Sequence, residues 1–523
     1  MRSSGRQTTH RPRNPVAETR SLPEGWAIVR LSQGLVVEAQ PGFACGFHNM
    51  TGDGAPHLRP MNVNEDGRID LRVLKCVPRQ TAIELDRWVE RGDVLFNNTN
   101  SPELVGKTAY YGDPEPRAFS NHMTRLRCNS AILNPRYGAR VLHYLWSTGY
   151  FFAHCNNHVS QASVDRRELL ATQVPIPPVH EQGRIVDALE ELVGRLESCK
   201  DRLDRIPRTL LRFRQAVLDM ACSGRLTEDW RTHDDCGASG HDLILSIRRA
   251  RGARGSRTRL DTVGTMADDM AIELPSSWAW CRVGDIAEVH LGGTPSREHL
   301  SYWSGRIPWI SSGEVANCRI ATTRERITDI GLANSNAKLY PRGTVLIAMI
   351  GEGKTRGQSA ILDIEACTNQ NAAGLLFDTP YVNPEYVWRW ALSEYERNRG
   401  EGRGGNQPAL NGQKVRNLPI PLPPREEQDE IVRRVDAVFS VVDTIEDRVA
   451  RATRMTALLR RRTFERAFSG ELVPTEAALA ARAGRSYESA EELLGRLARD
   501  RTTRPAQMGR TRTPDRKRRG RVG

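Results

Sequence analysis

Three kinds of short segment in this chain carry residue types that do chemistry in proteins. Ala348-Met349-Ile350-Gly351-Glu352-Gly353-Lys354-Thr355 has the spacing of a permissive phosphate loop, with Ala in place of the first Gly. Such a loop holds phosphate on the amides of the helix it opens. Here Arg356-Gly357-Gln358 and the apolar Ala360-Ile361-Leu362 follow, so strand-turn-strand is the expectation, and ATP is not. Gly106-Lys107-Thr108 reads as the equivalent turn in the first half. Asn134-Pro135-Arg136-Tyr137 and Asn383-Pro384-Glu385-Tyr386 each stand one residue from the (N/D)-P-P-(Y/F) tetrad of amino-methyltransferases. No Gly-rich cofactor loop precedes either, and Asn then Pro before an apolar run reads as a helix start. His154, Cys155 and His158 invite a metal, but no matching Cys/His cluster exists elsewhere. No catalytic residue, cofactor or metal is therefore expected in this chain.

The elements that would position any site emerge once internal repeats are sought. Leu22-Pro23-Glu24-Gly25-Trp26-Ala27 returns as Leu274-Pro275-Ser276-Ser277-Trp278-Ala279, an offset of 252. The offset drifts to 246 at Pro177-Pro178 with Glu181-Gln182, which returns as Pro423-Pro424 with Glu427-Gln428. It then stays fixed through Ser223-Gly224-x-Leu226 and Ser469-Gly470-x-Leu472. Surface loops absorb insertions and a helix held in register does not. Each half is thus a variable globular domain followed by a helix of fixed length.

The helices are legible directly. Ile185, Leu189, Leu192, Leu196, Leu203, Ile206 and Leu210 recur at steps that alternate between four and three, apart from one gap filled by Cys199. Ile431, Val435, Val438, Val442, Ile445 and Val449 repeat the seam in the second half. Gly224 and Gly470 suit left-handed C-caps. Pro207 falls inside the first seam and is expected to kink it. Two such stripes are best buried on one another, antiparallel, with a pseudo-twofold relating the halves; each helix packing only on its own domain is the alternative. Lengthening either helix at its Ser-Gly exit is then expected to move one domain along the rod.

Composition bounds the rest. An apolar fraction of 39% suffices for buried cores, and no apolar run reaches the ~20 residues of a membrane span. The basic start has no apolar run behind it, and the ten cysteines include no C-x-x-C pair, so a reducing cytoplasmic setting is expected. Nearly all of the net charge of +13 lies in residues 1–20 and 501–523, which read as solvated basic arms. The expected fold class is α+β: two globular domains separated by two long antiparallel coiled-coil helices. The expected division is a basic arm at 1–20, a first domain at 21–178, a helical spacer at 179–229 and a linker at 230–272. A second domain at 273–422, a second spacer at 423–473, and a short exposed helix with a basic tail at 474–523 complete it.

The repeat, the P-P-x-x-E-Q-x-x-I-V helix entry and the S-G-x-L exit together resemble the specificity subunit of type I restriction-modification enzymes, from Leu22 to Leu472. Gly92–Tyr111, Pro308–Val315, Val345–Leu362 and Thr368–Gly374 are similar to segments of that family's recognition domains. The resemblance implies a non-catalytic DNA-recognition subunit with two mixed α/β target-recognition domains, each reading half of a bipartite double-stranded target. Its helices would set the unread spacer and dock two methyltransferase subunits. S-adenosylmethionine, ATP and magnesium would belong to those partners and to the motor and endonuclease subunits. Groove chemistry selects polar strand tips as contacts: Asn and Gln for adenine, Arg and Lys for guanine, Ser and Thr for phosphate. In the first domain these are Asn97, Asn98, Thr99, Asn100, Ser101, Lys107 and Thr108. In the second they are Ser311, Ser312, Lys354, Thr355, Arg356, Gln358, Asn369, Gln370, Asn371, Arg403, Asn406 and Gln407. The competing readings are a recognition subunit of another methyltransferase or defence system, a phosphate-loop nucleotide-binding regulator, and a coiled-coil adaptor. The last leaves two globular repeats unexplained.

Overall fold

A computed structural model of the chain describes residues 14, 21–157, 161–232, 237–253, 273–350, 355–378, 380–400 and 410–503. Two compact units make it up, Met1–Asp201 with Thr453–Gly523 and Arg202–Ala452. The first long helix, Val179–Cys222, and the second, Arg425–Ser469, both pass from one unit into the other. Each unit therefore holds one globular domain and half of each helix.

In the first unit an antiparallel sheet orders Val36–Pro41, Met123–Cys128, Val94–Asn97 and Thr108–Tyr110. A second sheet pairs Ala55–Leu58 in parallel with Arg117–Phe119, flanked by Lys75–Val77 and Trp88–Val89. The second unit repeats the plan with one strand more. Ala287–Leu291, Ala372–Phe377, Val345–Ala348 and Ser359–Leu362 run antiparallel, with Cys318–Ile320 added in parallel. Trp303–Ile310 there pairs in parallel with Cys367–Thr368. Alternation of buried and exposed positions is weak in the central strands, which are buried on both faces (Val94–Asn97 and Val345–Ala348 throughout).

The long helices run antiparallel where they meet inside each unit. In the first, Arg184 near the start of one helix pairs with Glu476 just past the end of the other, at 2.7 Å. Farther along, the loop carrying Asp66 and Arg68 bridges Arg460 and Glu197, both at 2.9 Å. In the second unit Arg214 pairs with Asp443 at 2.5 Å and lies 4.9 Å over the Phe439 ring. Asn134 and Asn383 cap the helices Pro135–Ser147 and Pro384–Gly400, each accepting the amide two residues on, which is the helix-start reading of both tetrads.

Several expectations need correction. The seam buries Ile185, Leu189, Leu210, Ile431, Val435 and Val442, and partly buries Leu196, Leu203, Ile206, Val438 and Val449. Leu192 and Ile445 are exposed instead, at 38% and 37%. Val186 and Val193 are buried in their place on the first helix, because it lies against its globular domain as well as the other helix. Residues 230–272, read as a linker, contain the helix Gly240–Ala253, whose Leu243, Ile244 and Ile247 join the second unit's core. Arg251 in the Arg-rich stretch is buried, donating to Gly284 O at 3.1 Å and facing Asp378 at 3.3 Å. The short helix near the C-terminus, Ala490–Thr503, is not free either: Ala490 and Leu493 are buried in the first unit's core. The two helices correspond, since Gly240 N donates to Ser277 O and Ala490 N to Gly25 O, both at 2.9 Å. The repeat thus extends past Leu226 and Leu472. The Ser223-Gly224 exit lies within the second unit and Ser469-Gly470 within the first.

Candidate nucleic-acid interface

Backbone hydrogen bonds align the two domains residue by residue. Gly106 N donates to Asn97 O, and Gly357 N to Ala348 O, both at 2.8 Å. Both glycines have left-handed backbone, φ 94° and 81°, which closes the hairpin turn. The equivalent of Gly106 is therefore Gly357 and not Gly353, and Lys107 matches Gln358. The turn leads into the strand Ser359–Leu362, not into a helix. Residues 351–354, Lys354 among them, lie outside the described residues, as do Arg403, Asn406, Gln407 and His158. His154 Nδ1 faces Tyr150 O at 2.7 Å, and the Cys155 thiol donates to Phe152 O at 3.1 Å.

A second correspondence links the ends of the parallel strands. Ser120 N donates to Leu58 O at 2.9 Å and Asn369 N to Ile310 O at 3.0 Å. Next to them Asn98 N donates to His122 O, and Met349 N to Asn371 O. Each domain therefore joins three segments in one polar edge. These are 59–62, 97–101 and 120–122 in the first domain, and 311–314, 348–350 with 355–358, and 369–371 in the second.

The expected contact residues divide on burial. Asn97 is buried and donates to Pro60 O at 3.0 Å. Lys107 is buried with its ammonium on Val63 O at 2.5 Å, and burial lowers its pKa. Thr108 is buried and donates to Gly106 O at 2.9 Å. These three face inward and hold the edge from behind, a correction to their reading as strand-tip contacts. Asn98 is half-buried and donates to Asn121 O and Thr124 Oγ. Thr99 and Asn100 pair with Ser163 and Ala162, and Ser101 N donates to Asn100 Oδ1. In the second domain Ser311 caps a short turn through Glu314, and Asn369 reaches Ser312 Oγ at 3.4 Å. Gln370 is exposed and accepts from Thr294 Oγ at 2.6 Å. Thr355, Arg356, Gln358 and Asn371 are half-buried along the same edge.

Arg59, Asn121 and His122 were not among the expected contacts, yet the correspondence puts them at the places of Ser311, Gln370 and Asn371. The available signal was the recurrence of Pro56-x-Leu58-x-x-x-x-Val63 as Pro308-x-Ile310-x-x-x-x-Val315. Close by, His48 and His57 face each other at 3.3 Å. Burial, with His48 beside it, pushes His57 down to about 4, and burial with the cations Arg59 and Lys75 also lowers His48.

Comparison with known proteins places this architecture. The family described as type I restriction modification DNA specificity domain matches residues 87–208 and 275–453. The chain belongs to the type I specificity family. It is 27% identical over 481 residues to the type I restriction enzyme StySPI specificity subunit of Salmonella potsdam, covering 86% of this chain and 90% of that one. It is 25% identical, with the same coverage, to the EcoKI specificity subunit of Escherichia coli strain K12. The fold matches a chain from a study of complex assembly and conformational transition of the type I system, with TM-score 0.58 and 17% identity. That match covers 87% of this chain and 100% of the other. The HsdS subunit of Thermoanaerobacter tengcongensis matches with TM-score 0.52 and 17% identity, at the same coverage.

In this type I specificity chain the motif residues have structural roles. Gln182 accepts Asn134 N at 2.7 Å and donates to Ile132 O and Pro177 O. Gln428 accepts Asn383 N at 2.7 Å and donates to Tyr381 O and Pro423 O. The motif tyrosines Tyr137 and Tyr386 donate to Pro175 O and Pro421 O at 2.9 and 2.6 Å. The helix entry, the Pro-rich strand and the Asn-Pro helix are thus locked together by buried, fully used amides.

Proposed function

We propose that this chain is the DNA-recognition subunit of a type I restriction-modification complex, reading a bipartite target with one half-site per domain. The observation that carries the reading is the duplicated polar edge: the same backbone scaffold, built twice, ends in different side chains. Arg59, Asn121 and His122 on one edge answer to Ser311, Gln370 and Asn371 on the other, as two unlike half-sites would require. Methyl transfer, ATP hydrolysis and cleavage belong to the methyltransferase and motor subunits that bind S-adenosylmethionine, ATP and magnesium. Exposed apolar side chains along the long helices, Leu211, Phe213, Met220, Val441, Met455 and Leu458, support docking of the methyltransferase subunits there. The helices that pass between the units set the unread spacer.

The test is the methylated-adenine motif of cells carrying the complete system, with and without this gene. Replacing residues 22–175 by another recognition domain should change one half of that motif and leave the other intact. A swap that alters both halves, or neither, contradicts the reading.

A further inference from the structure

Arg59 stands on a turn that the first domain holds from several sides. Its own amide donates to Asn62 Oδ1 at 2.9 Å, and Asn62 N donates back to Arg59 O at 2.8 Å. Asn62 is buried and gives both amide hydrogens to Asp70 O and Val73 O at 2.9 Å. Asn97 and Lys107 brace the same turn through Pro60 O and Val63 O. The backbone is fixed without help from the arginine side chain. Among the described residues that side chain makes no ion pair, its one bond is a weak contact to Met61 Sδ at 3.0 Å, and its buried Nε has no partner. Neighbouring arginines differ: Arg117, Arg125 and Arg127 are each held by carboxylates.

The second domain builds the same turn with other residues. Ser311 takes the place of Arg59, and Glu314 takes the place of Asn62, accepting Ser311 N at 3.0 Å. A braced backbone carrying an uncommitted guanidinium in one copy and a hydroxyl in the other is a difference in recognition, not in folding. Resting on the reading that each domain reads its own half-site, we infer that Arg59 is a specificity-determining residue that reads a guanine. The chemistry is the paired acceptors O6 and N7 of guanine, which match two N–H donors of a guanidinium and which no other base presents. A serine at the corresponding place cannot supply that fork, so the second half-site is read differently there.

The experiment uses the complete restriction-modification system in cells, with Arg59→Ala, Arg59→Gln and Arg59→Lys, and reads the methylated motif. It also measures binding of the assembled complex to duplexes varied at each position. Arg59→Ala should relax one G·C position in the half-site assigned by the domain replacement, with about tenfold or more discrimination lost. The other half-site should not change. Arg59→Lys should retain part of the guanine preference. An unchanged motif overturns the assignment. So does a uniform loss on all sequences with a shallower salt dependence, which is the signature of a phosphate contact. If Arg59→Ala is not recovered folded, Arg59→Gln decides, and retention of full guanine preference by it overturns the proposal. Domain replacement that moves neither half-site refutes the recognition reading itself, a result that the Arg59 variants do not share.

Discussion

The indole N–H of Trp26 donates to Glu181 Oε1 at 2.9 Å, and the other oxygen of Glu181 accepts Glu476 N at 2.7 Å. Glu181 is buried, and burial raises its pKa despite these donors. The second unit repeats the arrangement, with Trp278 on Glu427 at 2.8 Å and Thr227 Oγ on its other oxygen at 2.6 Å. One carboxylate thus ties the entry of one long helix, the start of the domain and the segment leaving the other helix. Glu181→Ala leaves buried donors unpaired and should cost about 1–3 kcal/mol for each. Hydrogen exchange should show loss of protection in the first unit for Glu181→Ala and in the second for Glu427→Ala. Loss spread evenly over both units by either variant contradicts this.

Gly470 and Gly224 end the long helices at φ 80° and 77°. A Cβ at Gly470 would lie 2.3 Å from Pro23 Cγ, and one at Gly224 2.5 Å from Pro275 Cγ. Left-handed backbone alone costs a residue with a Cβ about 1–2 kcal/mol, and each proline would also have to shift. G470A and G224A should therefore each lower the unfolding midpoint, which a thermal melt followed by circular dichroism measures. A variant as stable as the parent would show that the proline contact is dispensable.

Acid should weaken the first unit selectively. Burial, with Arg140 beside it, pushes His143 down to about 3, and burial pushes His57 down to about 4. Both folded values lie below the ordinary 6.5. Between them the unfolded chain binds protons that the folded unit does not, so stability present above pH 6.5 is lost as pH falls. The second unit has Leu392 and Trp309 at the matching positions. Hydrogen exchange at pH 5 and pH 7.5 should show greater opening of the first unit in acid, and His143→Leu should reduce the difference. Equal protection at both pH values would count against it.

A spacer set by the helices responds to length only where they pass between units. Seven residues added to both helices, at 201/202 and 452/453, keep the heptad register and add about 10.5 Å. With a rise of ~3.4 Å per base pair, the unread spacer should grow by about three base pairs while both half-sites persist. The same insertion after Gly224 should leave the spacer alone. An active enzyme with an unchanged spacer after the first insertion would refute the ruler.

What the sequence by itself determined was whatever local signals and repetition specify. The two-copy plan, the long helices, their left-handed glycine exits at Gly224 and Gly470, and the Asn-Pro helix starts all depend on residues within one turn of each other or on a conserved offset. Tertiary structure decided which polar residues face outward. Lys107 and Asn97 sit in a strand-tip sequence that reads as exposed, yet they turn inward because the carbonyls of Pro60 and Val63, some forty residues earlier, need donors there. Arg59 and Asn121 become neighbours on one edge only through the parallel pairing of Ala55–Leu58 with Arg117–Phe119, which no local periodicity marks. Leu192 yielded to Val193 for the same kind of reason. A heptad describes one partner, whereas this helix buries its surface against two, and burial is settled by everything a side chain meets.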